Sequence, residues 1–326
     1  MIDSVGQTRL LAADQSNRFL TGGSLFSLRQ TCVISLKGRG NADPDAFDDH
    51  AWIASIHTLD GRRVQAIVHN EFHGHMHKGA CSSKVYEKCW ENALVHAVSQ
   101  DGGKTFVRTP GHSGVIAALP ESYSGKQTRQ IGYFNPTNIV EKDGFVYAMA
   151  GLIPPEGRSG ICLMRAPRDW TPQSWRGWDG SGFTVDLRGR AAGNSELCRT
   201  LETENLFFGV GSLSVHRGTN LFVATMRFNR WDRPRKGEVP GVYISTSPNL
   251  IDWSIPMMVI VDRDVAPKDD TEQIEYYPAL IDDEVHDRNF QTVGDSPLLL
   301  TTQMSRGREP WQRRLVARRV QIVVTH

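Results

Sequence analysis

Residues 60–69 read DGRRVQAIVH, a glycine-containing turn followed by apolar and β-branched residues, which is typical of a β-strand entered from a tight turn. The same turn and strand recur three more times, as DGFVYAMAG at 143–151, RGTNLFVATM at 217–226 and GDSPLLLTTQM at 294–304. Because a recurring unit fixes the architecture of a chain, this segment decides the predicted fold.

Each copy is flanked by two further candidate strands. The preceding strands are HAWIASIHT at 50–58, NPTNIVEK at 135–142, GSLSVHR at 211–217 and YYPALIDD at 276–283. The following strands are ALVHAVSQ at 93–100, GICLMRA at 160–166, GVYISTS at 241–247 and RLVARRVQIVV at 314–324. Strand, turn, strand, loop and strand make up one blade of a β-propeller.

The four copies leave residues 1–47 over, and these contain strand-like SLFSLRQTCVISLKG at 24–38. We expect this segment to supply strands to a fifth blade or to close the ring, which protects the edges of the blades. The sequence therefore predicts an all-β chain, a five-bladed β-propeller forming a single domain over residues 1–326. A β-sandwich of similar strands is the alternative.

Composition excludes several classes of protein. Hydrophobic residues make up 39% of the chain and charged residues 22%, so an ordinary core can form. The net charge of +1, without a run of Lys and Arg, does not favour a nucleic-acid partner. No apolar stretch approaches the roughly 20 residues that span a bilayer, and no motif indicates a cofactor.

Cysteines and the N-terminus bear on location. The five cysteines, an odd and scattered set, favour a reducing compartment. The first residues lack the pattern of a signal peptide, so we expect a cytoplasmic protein. If the protein is exported, Cys81 and Cys89 are spaced to close a local loop.

The segment SQDGGKTF, residues 99–106, resembles the Asp-box of sialidases and related propellers. We expect Asp101 to accept hydrogen bonds from backbone N–H groups in a tight turn between outer strands. The resemblance to sialidases ends there, because the FRIP-like motif of those enzymes is missing, which argues against sialic acid as the substrate.

The segment STSPNLIDWS, residues 245–254, is similar to an outer-strand hairpin of five-bladed glycosidases of the arabinanase and β-xylosidase kind, and PRDWTPQSWRGW, residues 167–178, is a looser version. In those enzymes an aspartate on the first blade's inner strand is the base and a glutamate from a later blade is the acid. The resemblance implies these roles for Asp49 and Glu275.

Glu204 is an alternative acid, and Glu71 is a candidate third carboxylate that would raise the pKa of the acid. The alternative is a purely structural role, in which Asp49 caps a turn and Glu275 forms a surface ion pair.

The segment HNEFHGHMH, residues 69–77, is rich in histidine. On a strand, His73, His75 and His77 would lie on one face and suit a metal ion. Gly74 instead favours a loop, with His73 beside Glu71 at the mouth of the propeller. The metal site is therefore kept as the weaker alternative.

Further polar and aromatic residues at the strand entries and in the adjoining loops are candidates for substrate binding. Trp90 could stack on a sugar ring, or it could fill a core between blades. Arg227 could hold an anionic group or orient a carboxylate, or lie in a solvated hairpin. The complete set of candidate binding residues is His50, His73, Trp90, Asn135, Arg227 and Tyr277.

These residues predict a glycoside hydrolase that cleaves a glycosidic bond with two carboxyl groups in different environments, and a carbohydrate as its partner. Two alternatives stay open, a propeller that binds glycans without cleaving them and a metal-dependent enzyme that uses the histidine segment.

Overall fold

A computed structural model of the chain describes residues 1–11, 16–83, 85–201, 203–232, 237–261, 273–284, 287–305 and 313–323. The secondary structure of these residues is β-strand and short 3-10 helix, without α-helix. No helix among them is long and apolar enough to span a membrane. The chain divides into two compact units, Met1–Leu201 and Glu202–His326. A single domain spanning the chain stays a prediction.

The first unit holds a small sheet and a large one. The small sheet is antiparallel and consists of β1 (Thr8–Leu11), β2 (Phe19–Gly22) and β3 (Arg29–Gln30). The large sheet has eleven strands, namely β4 (His50–His57), β5 (Val64–His73), β6 (Trp90–Ser99), β7 (Val107–Arg108), β8 (Val115–Ala117), β9 (Ile131–Phe134), β10 (Val140–Lys142), β11 (Phe145–Ile153), β12 (Gly160–Pro167), β13 (Arg176–Trp178) and β14 (Phe183–Asp186).

The second unit also holds two sheets. Its strands are β15 (Val210–His216), β16 (Phe222–Asp232), β17 (Gly237–Ser247), β18 (Met257–Val261), β19 (Gln273–Ile281), β20 (Thr292–Val293), β21 (Leu298–Ser305) and β22 (Arg313–Arg319). One sheet has the order β18-β17-β16-β15-β20, and the other has the order β19-β21-β22. The 3-10 helices of the chain are Leu25–Ser27, Pro44–Ala46, Gly74–Met76, Tyr86–Cys89, Gly111–Gly114, Pro172–Ser174 and Gly189–Ala192.

The repeated unit predicted from the sequence is present in all four places. The second strands of the copies are β5, β11, β16 and β21, and each pairs antiparallel with the third strand that follows it. The second copy departs from the pattern, because its predicted first strand at 135–142 shortens to β10. Asn135 is left-handed with φ 41° and Pro136 has no N–H to donate, so a regular strand cannot begin there.

Strand β9 joins the first two copies into one sheet. It pairs parallel with β6 and antiparallel with β11. Strand β5 is buried on both faces, since Ile67 belongs to one apolar cluster while Val64 and Val68 belong to another. This double burial explains the nearly continuous apolar run that made the segment stand out in the sequence.

A buried serine links neighbouring strands in each unit. The hydroxyl of Ser55, which follows a bulge in β4, donates to the backbone carbonyl of Thr137. Ser212, which follows a bulge in β15, accepts a hydrogen bond from the backbone N–H of Leu280 at 3.1 Å. The bulge and the serine therefore form a repeated device that holds one copy to the next.

The turn after β6 is organised by one aspartate. Asp101 Oδ1 accepts hydrogen bonds from the backbone N–H groups of Lys104 and Thr105, both at 3.0 Å, and the Thr105 hydroxyl donates to Oδ2 at 2.7 Å. These bonds fix a tight turn into β7. The relation of this turn to the Asp-box stays a prediction.

Candidate functional site

The register of β4, β5 and β6 places polar and aromatic side chains on one face near the strand ends. His50 lies opposite Glu71, Glu71 lies opposite Asn92, and His73 lies opposite Trp90. Directly paired residues of antiparallel strands share a face of the sheet. We call Asp49, His50, Glu71, His73, Tyr86 and Trp90 the β4–β6 site.

Asp49 is the buried anchor of the β4–β6 site, with 2% of its surface exposed. Its Oδ2 accepts from the backbone N–H of His73 and contacts His77 Nε2, both at 2.9 Å. Its Oδ1 lies 3.0 Å from His50 Nδ1. Burial raises the pKa of Asp49, but the contacts with His50, His73 and His77 outweigh it and lower the pKa to about 2. Asp49 is therefore an ionised group that substrate does not reach.

The carboxylate of Asp49 favours the protonated form of His50. The contact with the Asp49 carboxylate raises the pKa of His50 against the opposing effect of burial, and the charge of Glu71 adds to the rise. The side chain of His50 is 22% exposed. Because Nδ1 faces Asp49, the other ring nitrogen is the one available to donate a proton outside the protein.

Glu71 is contacted by two histidines. Its Oε2 lies 3.0 Å from His73 Nε2, and its Oε1 lies 3.6 Å from His69 Nδ1. Burial lowers the pKa of His69, so that ring is neutral, and the Asn92 amide nitrogen lies 2.6 Å from its Nε2. An amide that donates to Nε2 leaves the ring hydrogen of His69 on Nδ1, pointing to Glu71.

Tyr86 and Trp90 form an aromatic wall around His73. The Tyr86 hydroxyl lies 3.2 Å from His73 Nδ1, and the Trp90 ring lies 4.8 Å from the His73 ring between centroids. The buried indole N–H of Trp90 has no hydrogen-bond partner within the described part of the chain. An aromatic wall suits a ligand that presents an apolar ring face.

The segment that carries Tyr86 is fixed at both ends. A disulfide joins Cys81 to Cys89, and the hydroxyl of Tyr123 donates to the carbonyl of Ala80 at 2.9 Å. A second disulfide joins Cys162 to Cys198, while Cys32 is exposed. Disulfides persist in oxidising compartments, so the prediction of a reducing compartment loses its support from the cysteines. The cytoplasmic location stays a prediction.

The three alternating histidines do not share one strand face. The strand ends at His73, and Gly74–Met76 is a 3-10 helix, so strand alternation does not apply to them. His73 Nε2 faces Glu71 and His77 Nε2 faces Asp49. Within the described residues, no group of three or more His, Cys, Asp or Glu is arranged to hold a metal ion.

Glu275 lies in the second unit and is held by an arginine. Its carboxylate contacts both terminal nitrogens of Arg318, at 2.7 and 3.3 Å, and accepts from Thr301. Burial raises the pKa of Glu275, but Arg318 and Thr301 outweigh it and lower the pKa. A general acid needs the opposite shift, so this environment does not support the acid role that the resemblance implied. Glu204, the alternative acid, is exposed.

Three predicted binding residues are not part of the β4–β6 site. Asn135 is exposed and follows Phe134, whose ring lies 6.4 Å from that of Trp90. Arg227 and Tyr277 belong to the second unit, where the Arg227 guanidinium lies 4.7 Å from the ring of Tyr276. Tyr277 is 59% exposed and left-handed, with φ 51°.

The sequence did not single out Tyr86 or Asn92. Tyr86 reaches His73 through the loop closed by Cys81 and Cys89. The only signal for it in the sequence is that pair of cysteines, which brackets the tyrosine. Asn92 becomes recognisable only once the register of β5 and β6 is known.

Comparisons with known proteins identify the fold. No family model matches the chain, and no curated protein matches it. An α-L-arabinofuranosidase from Lactobacillus brevis is 11% identical with a TM-score of 0.54, and the match covers 98% of this chain and 88% of that one. A thermostable family-43 glycoside hydrolase is 8% identical with a TM-score of 0.50, and the match covers 98% of this chain and 87% of that one. The predicted fold class, all-β of the propeller kind, is confirmed, and the count of five blades stays a prediction.

Proposed function

We propose that the protein is a glycoside hydrolase whose reaction takes place at the β4–β6 site. The observation that carries the proposal is that a histidine and a carboxylate face each other across β4 and β5. His50, whose pKa Asp49 raises, lies opposite Glu71, which His73 contacts at 3.0 Å. A histidine whose pKa is raised and a carboxylate that faces it across paired strands can supply a proton donor and a proton acceptor.

The chemistry of a glycosidic bond fits these two groups. The leaving oxygen needs a proton, and His50 is the donor with a free ring nitrogen. The attacking group must lose a proton, and the pair of Glu71 and His73 accepts it. Asp49 then acts as a positioning residue that keeps His50 charged, rather than as the base that the family resemblance implied.

The comparisons support the substrate class. The two similar structures described above are named as an arabinofuranosidase and a glycoside hydrolase, which favours a carbohydrate as the substrate of this chain. The aromatic wall of Tyr86 and Trp90 supports the same class, because sugar rings stack on aromatic faces.

Hydrolysis of aryl glycosides and of plant and bacterial polysaccharides tests the proposal. We expect Glu71→Gln and His50→Gln each to lower kcat by at least about 100-fold, the range for a lost acid or base. Glu141→Gln is the matched control, since Glu141 pairs with Arg168 in the same unit, away from the β4–β6 site.

Two outcomes would overturn the proposal. Full activity in both variants of the β4–β6 site would exclude their roles. Glycan binding measured by calorimetry, without turnover of any substrate, would instead identify a non-catalytic binding protein.

A further inference from the structure

We propose that the attacking group at the β4–β6 site is the hydroxyl of Tyr86 rather than water, so that Tyr86, His73 and Glu71 act as a nucleophile, its base and the group that orients the base. The inference rests on the proposed function and deepens it. Tyr86 was not among the residues predicted from the sequence.

The first support is the connected row of contacts through one imidazole ring. Tyr86 Oη lies 3.2 Å from His73 Nδ1, and His73 Nε2 lies 3.0 Å from Glu71 Oε2. A hydroxyl, a histidine and a carboxylate joined in this order are the general arrangement of an activated nucleophile.

The second support is the placement of hydrogens that these contacts allow. A phenol that donates to Nδ1 leaves the hydrogen of a neutral His73 ring on Nε2, where it faces the Glu71 carboxylate. In that state His73 can take the phenol proton, and Glu71 stabilises the resulting imidazolium. The backbone N–H of His73 donates to Asp49, which fixes the backbone from which the ring projects.

The third support is access. Tyr86 is 42% exposed, whereas His73 is 5% exposed. The side chain of Glu71 is 13% exposed, so Tyr86 is the most exposed residue of the three. Burial raises the pKa of Tyr86, so the phenol is neutral at ordinary pH and needs His73 to remove its proton during attack.

The proton balance closes over two steps. In the first, Tyr86 Oη bonds to the anomeric carbon, His73 Nδ1 takes the phenol proton, the glycosidic C–O bond breaks, and His50 protonates the leaving oxygen. In the second, water attacks the anomeric carbon and gives a proton to His50, while the Tyr86 oxygen leaves and recovers its proton from His73. Substrate and water are consumed, and the protein returns to its starting state.

Acetylation by N-acetylimidazole, followed by peptide mass spectrometry, tests the activation of Tyr86 without a substrate. We expect Tyr86 to react at least about 10-fold faster than Tyr277, although Tyr277 is the more exposed of the two at 59%. His73→Gln should remove that advantage, while Glu141→Gln should leave it unchanged. Equal rates for the two tyrosines, or no effect of His73→Gln, would overturn the proposal.

Kinetics on any glycoside that is cleaved supply the second test. Tyr86→Phe should lower kcat by at least about 100-fold, whereas Tyr123→Phe, which loosens the same segment, should cost much less. If Glu71→Gln and His50→Gln abolish hydrolysis but Tyr86→Phe retains at least half of kcat, water is the nucleophile and only this inference fails. If Tyr86 is selectively acetylated but no glycoside is cleaved, the activation of Tyr86 stands and the proposed function fails.

Discussion

Asp49 raises the pKa of His50 although Asp49 itself is almost fully buried. It has 2% of its surface exposed and contacts three histidines through the backbone of His73 and the rings of His50 and His77. The carboxylate stays ionised in this buried place because Oδ2 accepts from the backbone N–H of His73 and Oδ1 lies close to the His50 ring.

Replacing Asp49 by Asn keeps the shape of the side chain and removes the charge. The contact with Asp49 is the main cause that raises the pKa of His50, so the pKa of His50 should fall in the variant. Since His50 has to be protonated to act as the acid, the basic limb of the pH-rate profile should move to lower pH. The profile of kcat/KM against pH measures this shift, and an unmoved limb would exclude the link between the two residues.

Only part of the β4–β6 site could be predicted at the residue scale. Asp49 and His50 were recognised at the entry of a predicted strand, Glu71 and His73 in the histidine-rich segment, and Trp90 as an aromatic residue that could stack on a sugar ring. The chemical roles of these residues could not be predicted from the sequence, because they depend on burial and on which carboxylate oxygen contacts which ring nitrogen. The contacts of Asp49 with His50 and of Glu275 with Arg318 are examples.

At the scale of elements, the 3-10 helix Tyr86–Cys89 is held in place by a covalent bond. The Cys81–Cys89 disulfide closes the segment immediately before β6. A short loop closed by a disulfide restricts the unfolded chain less than a long one, but its effect is still about 2–3 kcal/mol.

The variant Cys81→Ser/Cys89→Ser tests the role of this bond. We expect the free energy of unfolding to fall by about 2–3 kcal/mol, and kcat to fall more than KM rises, because Tyr86 loses its fixed position. Urea unfolding and steady-state kinetics measure the two effects. The variant Cys162→Ser/Cys198→Ser is the matched control, and an equal loss of kcat in both would show that the effect on activity is general.

The strands themselves were predictable because each begins after a turn with its own chemistry. Aspartate and glycine before β5 and β11 favour a turn, and this turn predicts the strand that follows without any knowledge of the tertiary structure. The strand predicted at 135–142 was too long, because the left-handed backbone of Asn135 before a proline is not a property of any local pattern. His73, His75 and His77 do not share one strand face for a similar reason, since the strand ends at His73, where alternation was assumed to continue.

At the scale of the whole molecule, two buried histidines distant from the β4–β6 site link stability to pH. His57 and His96 are 1% and 4% exposed, and burial lowers the pKa of each from 6.5 to about 4. The folded protein therefore holds both rings neutral at a pH where the unfolded chain binds a proton on each.

The two histidines make the folded protein less stable as the pH falls. The stabilising contribution of a neutral buried histidine is complete above pH 6.5 and is lost as the pH falls from 6.5 to about 4. A difference of that size corresponds to up to about 3 kcal/mol for each ring. Urea unfolding between pH 7 and pH 4 should show this loss, and the variant His57→Gln/His96→Gln should show a flatter curve. An unchanged slope in the variant would assign the acid sensitivity to other groups.

Strand β9 has a consequence for how the chain can be divided. Because this four-residue strand pairs with β6 on one side and β11 on the other, the first two repeats are not interchangeable modules. A truncated gene that stopped at codon 130 would encode β6 without that neighbour, and the uncovered backbone would invite association with other copies. We therefore expect the first two repeats to fold together as one piece.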